Sequence, residues 1–302
     1  MTPPNGRQDP STELGGPSTT PAHREGTFAG VAGVSIFWQA WLPPDPCRGV
    51  VVIAHGAGEH SGRYTHVADR LVREGYAVYA LDHRGHGRSA GPRALIDRMD
   101  NVVADLDTLV LQASSAHQGV PVFLLGHSMG GTVSLCYSLR HQDRLDALAL
   151  SGPLAALEAA PAIVHIAAKA LSALIPRLPV YGVDPSLVSR APAVVQAYKT
   201  DPLVHHGKLP VRTVAELAAA IESFPDRAPE ITVPTLILYG TADEICPTEG
   251  SVMLGNRIGA TDRTVKSYPG LYHEILNEPE QEQVMDDLCA WLNAHGRSPS
   301  PA

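Results

Sequence analysis

Val122-Phe123-Leu124-Leu125-Gly126-His127-Ser128-Met129-Gly130-Gly131 is the stretch from which the fold of this chain is read. Its four leading apolar residues, with no polar alternation, have the pattern of a strand buried on both faces, and helical spacing takes over across 132–141. Between the two, Gly-x-Ser-x-Gly sets a serine on a sharp strand-to-helix turn, a nucleophile elbow whose flanking positions leave no room for side chains. Similar short apolar runs recur at 50–54, 77–81, 147–150 and 235–239, with amphipathic helical spacing over 106–116 and 280–294. Such alternation predicts an α/β fold: a mostly parallel central sheet, flanking helices and right-handed crossovers. The β-branched and aromatic stretch 34–41 suits an antiparallel strand ahead of that sheet, and 265–268 reads as its last strand.

The rhythm breaks over 153–229, where helical patterns and scattered prolines give no good strand. The expected organisation is a tail over 1–23, a core formed by 24–152 and 230–296, a helical cap inserted at 153–229, and a flexible end at 297–302. The tail, a Pro/Gly/Ser/Thr mixture, has nothing to bury and lacks the basic and apolar regions of a secretory signal. At the start of the insertion, 154–175 is apolar nearly all round but carries Glu158, Pro161, His165 and Lys169. A membrane span needs about 20 mostly uncharged residues, so this segment reads as a cap helix facing an apolar groove, the alternative being a core or dimer helix. Transient contact with a lipid surface is a further expectation for it.

Lys and Arg number 23 against 31 Asp and Glu, a net charge of −8 with no basic run, which excludes a nucleic-acid partner. Cys47, Cys136, Cys246 and Cys289 show no metal or disulfide spacing, pointing to a reducing, cytoplasmic setting. The sequence leaves the oligomeric state open.

A serine hydroxyl attacks only when a histidine removes its proton and a carboxylate orients that histidine. On folds with such an elbow the order is serine, acid, histidine. The strand at 235–239 leads into Gly240-Thr241-Ala242-Asp243, and the strand at 265–268 into Pro269-Gly270-Leu271-Tyr272-His273. Asp243 and His273 are therefore the expected acid and base, the alternatives being an Asx-turn for Asp243 and an ordinary loop histidine for His273. An oxyanion needs backbone N–H donors after the nucleophile and after an early strand, which selects Met129 and Ala57. Other motifs fail. Gly56-Ala57-Gly58 lacks its third dinucleotide glycine in register, and His273-Glu274 has Asn277 where a zinc motif needs a second histidine. His83 and His86 in a Gly-rich loop read as loop structure, and His205-His206 as solvent-facing.

Taken together, HGAGEHSGRY (55–64), LDHRGHGRSAG (81–91), the elbow, YKTDPL (198–203), GTADEIC (240–246) and YPGLYHEILNEPE (268–280) resemble the monoglyceride lipases of the α/β-hydrolase fold, including actinobacterial members, across 28–291. The resemblance implies hydrolysis of a monoacylglycerol to glycerol and fatty acid without metal or cofactor, by Ser128, Asp243 and His273. It also implies that Glu59 and Arg63 help form the glycerol pocket, where residues alone allow a surface ion pair, and that Tyr198 approaches the glycerol. Cys246 corresponds to a cysteine that makes mammalian members sensitive to thiol reagents. Mammalian members carry a second histidine three residues past the base, where this chain has Leu276 and then Asn277. A broader carboxylesterase, lysophospholipase or acyltransferase, or a non-catalytic binding module on the same fold, are the alternatives.

Overall fold

A computed structural model describes residues 21–44, 46–157 and 171–296. In chain order the elements are β1 (Ala22–Ala29), β2 (Ser35–Leu42), β3 (Gly49–Ala54), α1 (Thr65–Arg73), β4 (Tyr76–Leu81), α2 (Met99–Ala116), β5 (Val122–His127), α3 (Met129–His141), β6 (Ala147–Ser151), β7 (Pro179–Tyr181), α4 (Pro192–Thr200), β8 (Leu209–Pro210), α5 (Val211–Arg227), β9 (Thr235–Gly240), α6 (Thr248–Arg257), β10 (Arg263–Tyr268) and α7 (Gln281–His295). Eight strands form one sheet in the order β1-β2-β4-β3-β5-β6-β9-β10. β2 runs antiparallel to β1 and β4, and the remaining neighbours are parallel. This is the α/β-hydrolase arrangement.

The unbroken apolar strands follow from burial on both faces. Val50, Val52 and Ala54 of β3 face a cluster shared with α2, α3 and α5, while Val51 and Ile53 face one shared with α1 and α7. β3 lies between β4 and β5 although the chain visits it first, so strand order reverses there. Ala54 pairs in register with Gly126, and the loop after β3 therefore emerges beside the elbow after β5. Crevices of this kind, at the carboxyl ends where strand order reverses, are where open α/β sheets hold ligands.

Two expectations need correction. Ala22 and His23, expected in the tail, belong to β1, which pairs with β2 along its whole length, from Ala22 opposite Leu42 to Ala29 opposite Ser35. His23, Arg24 and Glu25 are all exposed and Phe28 is its one large apolar residue against the core, so the strand rests largely on backbone hydrogen bonds and carries little apolar signal. The inserted segment also contains a ladder, β7 with β8, whose three- and two-residue strands both carry a proline and are too short to show a period of two. The cap helix expected at 154–175 lies largely outside the described residues, as do most of the tail and the end at 297–302. Within the insertion, Leu217, Ile221 and Phe224 of α5 join the core cluster, whereas Val188, Tyr198 and Val204 make a small cluster of their own. Among the described residues no helix is long and apolar enough to cross a membrane.

Candidate active site

Ser128 links β5 to α3 with φ of 53°, a left-handed conformation that a residue with a Cβ rarely adopts. Its N–H donates to Ser151 O at 3.1 Å, and its carbonyl accepts from Gly131 and Thr132, which fixes the turn from both sides. The flanking glycines are there for space. A Cβ on Gly126 would lie 2.4 Å from Ser134 Oγ, and one on Gly130 would lie 2.0 Å from Ala54 O. Only without those atoms can α3 start hard against the end of β3.

Asp243 follows β9, and His273 follows β10. His273 Nδ1 donates to Asp243 Oδ2 at 2.7 Å, and both side chains are almost wholly enclosed. Asp243 Oδ1 accepts the N–H groups of Ile245 and Cys246, each at 2.9 Å. One carboxylate thus closes an Asx-turn with one oxygen and holds the imidazole with the other. Burial works against a charge on His273, but the Cys246 sulfur and the Asp243 carboxylate outweigh it and hold the imidazole well above its usual range. For Asp243 burial pushes upward, yet the His273 contact and backbone donors leave its pKa lowered. The His127 ring lies 4.7 Å from that of His273, its Nδ1 bonded to Ser151 O at 2.9 Å.

Cys246 sits between Ser128 and His273. Its Sγ is 3.7 Å from Ser128 Oγ and 3.9 Å from His273 Nε2, and it is buried. Asp243, Cys246 and His273 are also the group among the described residues whose donor atoms, all within 4.8 Å, are close enough to hold a metal ion.

Met129 is the first residue of α3, where helix geometry leaves an N–H without an intrahelical acceptor. Ala57 lies three residues beyond β3, in a loop pinned by buried side chains. His55 Nε2 accepts the His83 N–H at 2.9 Å, so the ring proton sits on Nδ1 and is donated to Gly56 O at 2.8 Å. Glu59 Oε1 accepts from Gly56 N at 2.5 Å and from Tyr64 OH at 2.6 Å, and Oε2 accepts from Arg63 at 2.6 Å. Burial pushes Glu59 upward, but Arg63, His127, His55 and the Tyr64 hydroxyl pull it down to about 2. The Arg63 guanidinium lies over the Tyr198 ring, 4.8 Å from its centroid. Glu59 and Arg63 are not a surface ion pair, since both are nearly fully enclosed.

The residues singled out from the sequence thus converge on one crevice. Two features escaped that reading. Glu274, noticed only as part of a failed zinc motif, makes a bidentate contact with Arg63 at 2.6 and 2.8 Å. His60 bonds Asp201 at 2.9 Å, tying the loop after β3 to the inserted segment. Both join positions far apart in the chain, and nothing local announces them.

Residues 45–280 match the hydrolase model described as serine aminopeptidase, S33. The monoacylglycerol lipase of Mycolicibacterium smegmatis is 46% identical over 272 residues, covering 90% of this chain and 97% of that protein. Among crystal structures, the monoacylglycerol lipase of Paleococcus ferrophilus superposes with a TM-score of 0.78 at 33% identity, covering 86% of this chain and 99% of that one. A soluble variant of the Saccharomyces cerevisiae monoglyceride lipase, in complex with a substrate analog, gives 0.81 at 25% identity, covering 93% and 97%. An elbow serine at the switch point, a buried acid–imidazole pair beside it and likeness along nearly the whole chain lead to one conclusion: the chain belongs to the monoacylglycerol lipase family of α/β hydrolases.

Proposed function

We propose that this protein hydrolyses monoacylglycerols to glycerol and fatty acid through an acyl-enzyme on Ser128. The observation that carries the reading is the buried Asp243–His273 pair, 2.7 Å apart, facing a serine held in a left-handed turn, in a chain so similar to monoacylglycerol lipases. Ser128 Oγ attacks the ester carbonyl as His273 Nε2 takes its proton, which requires Oγ to turn from Cys246 toward the imidazole. Catalytic hydrogen bonds commonly tighten in this way once substrate is bound. Asp243 holds the tautomer that leaves Nε2 free to accept, and stabilises the imidazolium that forms.

Negative charge on the former carbonyl oxygen is met by the N–H groups of Ala57 and Met129. His273 then protonates the departing glycerol oxygen, and the acyl group is released by water along the reverse path. The glycerol end lies toward Tyr198 and the Glu59–Arg63 pair. The acyl chain, once buried among apolar side chains, gains about 0.8 kcal/mol per methylene. Leu174, Ile175 and Tyr181 are exposed by 81%, 53% and 48%, and they supply the apolar surface for collecting substrate from lipid.

Steady-state hydrolysis of monoolein, diolein, triolein, lysophosphatidylcholine and a short p-nitrophenyl ester tests the proposal. Preference for monoolein is expected. Equal or better turnover of lysophosphatidylcholine would reassign the substrate, and failure to react with a fluorophosphonate would remove the serine mechanism.

A further inference from the structure

The residue after the base is occupied in a way that glycerol recognition does not explain. Glu274 is 4% exposed, and Arg63 Nη1 and Nη2 reach its two oxygens at 2.6 and 2.8 Å. The second oxygen also accepts from Asn277 Nδ2 at 3.1 Å, and the Glu274 N–H donates to Val188 O of the insertion at 2.8 Å. Arg63 Nη1 is shared with Glu59, whose other oxygen holds Gly56 N–H, so an unbroken chain of contacts runs from the His273 loop to the loop carrying Ala57. The contact is tight: a Cβ on Gly56 would lie 2.7 Å from Glu59 Oε1 and 3.1 Å from Ser128 Cβ.

All four carboxylate oxygens are engaged within the protein, so Glu274 is committed to Arg63 and Asn277 rather than to substrate hydroxyls. Stability is also a weak reason for its presence. Enclosing ions costs several kcal/mol each, and a buried ion pair often stabilises no better than packed apolar residues would. Such a cluster does impose one relative placement on the loops it joins. Here the placement is that of the Gly56–Ala57 peptide against His273.

We propose that Glu274 is a positioning residue which, through Arg63 and Glu59, sets the oxyanion loop against the loop of the base. It serves attack on any ester and does not recognise the glycerol head. The inference rests on the serine-hydrolase reading above and deepens it. A displacement of about 1 Å at a reacting centre can cost 10²-fold in rate, whereas a lost contact to the glycerol head would weaken binding of that substrate alone.

The test uses Glu274→Gln, Arg63→Lys and the double variant, with monoolein and p-nitrophenyl butyrate as substrates. Circular dichroism restricts the assays to temperatures at which each variant is folded. Turnover is expected to fall about 10- to 100-fold on both esters with KM within about threefold, and the double variant should be no slower than the slower single one. The proposal is overturned by a KM increase confined to monoolein in Glu274→Gln, or by folded variants that turn over at the wild-type rate. A wild-type protein active on p-nitrophenyl butyrate but not on monoolein would refute the substrate assignment, and the variants' turnover of p-nitrophenyl butyrate would then decide the positioning role. A wild-type protein active on neither would refute both.

Discussion

At the scale of single residues, the site depends on a few atoms being held where each alone would not stay. Ser128 accepts an unfavourable φ because its N–H and carbonyl are both bonded. Asp243 spends one oxygen on a turn and the other on His273, so Asp243→Asn keeps the turn and loses the tautomer. Its kcat is expected to fall about 10⁴-fold, and a variant within tenfold of wild type would remove Asp243 from the triad. Because His273 is held well above the usual imidazole range, its neutral, proton-accepting form is depleted at mildly acidic pH. The acid limb of kcat/KM should therefore lie above pH 6.5 or so; a midpoint below 6 would contradict the pairing. Cys246, with its sulfur 3.7 Å from Ser128 Oγ, places any adduct in the path of attack. A bulky maleimide should abolish turnover in the wild type and spare Cys246→Ala. Stoichiometric labelling of Cys246 by mass spectrometry with full activity retained would separate the thiol from the site.

At the scale of elements, positions that read as loose loops turn out to be load points between strand ends. α3 begins against β3 because Gly130 has no Cβ, and that approach puts the Met129 N–H near the Ala57 loop. Gly130→Ala would insert a methyl 2.0 Å from Ala54 O and 2.6 Å from His55 O, both backbone atoms that cannot swing aside. The expected result is destabilisation of about 1–3 kcal/mol, typical of overpacking, with a larger fall in kcat than in KM. An unchanged melting temperature together with unchanged kcat would show that α3 starts elsewhere. The alternation of apolar runs and helical spacing made β3 to β6 and β9 legible, since each such strand is covered on both faces. β1 was not legible because backbone pairing at an edge needs no apolar side chains, and β7 with β8 because they are too short to show a period.

At the scale of the whole molecule, a block of histidines is enclosed behind the loop that follows β3. His55, His83 and His86 are all at most 1% exposed, and neither ring nitrogen of His83 has a partner among the described residues. Burial lowers all three, His86 to about 3. The unfolded chain thus takes up protons in the interval below pH 6.5 where the folded one does not, so stability is fully present above that value and drains away as pH falls. Each such group contributes a slope of about 1.4 kcal/mol per pH unit. His273, with its raised value, acts in the opposite sense, its contribution being lost as pH rises through its folded pKa. The melting temperature should drop steeply between pH 6.5 and 4.5, and a flat profile there would mean these rings are solvated. The sequence by itself determined the strand-turn-helix around Ser128, the strand ends from which Asp243 and His273 project, and the α/β class, because those rest on short-range patterns of burial and on motif spacing. Only the tertiary structure decided that Cys246 lies between hydroxyl and imidazole, that β1 closes the sheet edge, and that Glu274 reaches Arg63. These are contacts between segments brought together by strand order, and local spacing carries no information about which buried charge will meet which.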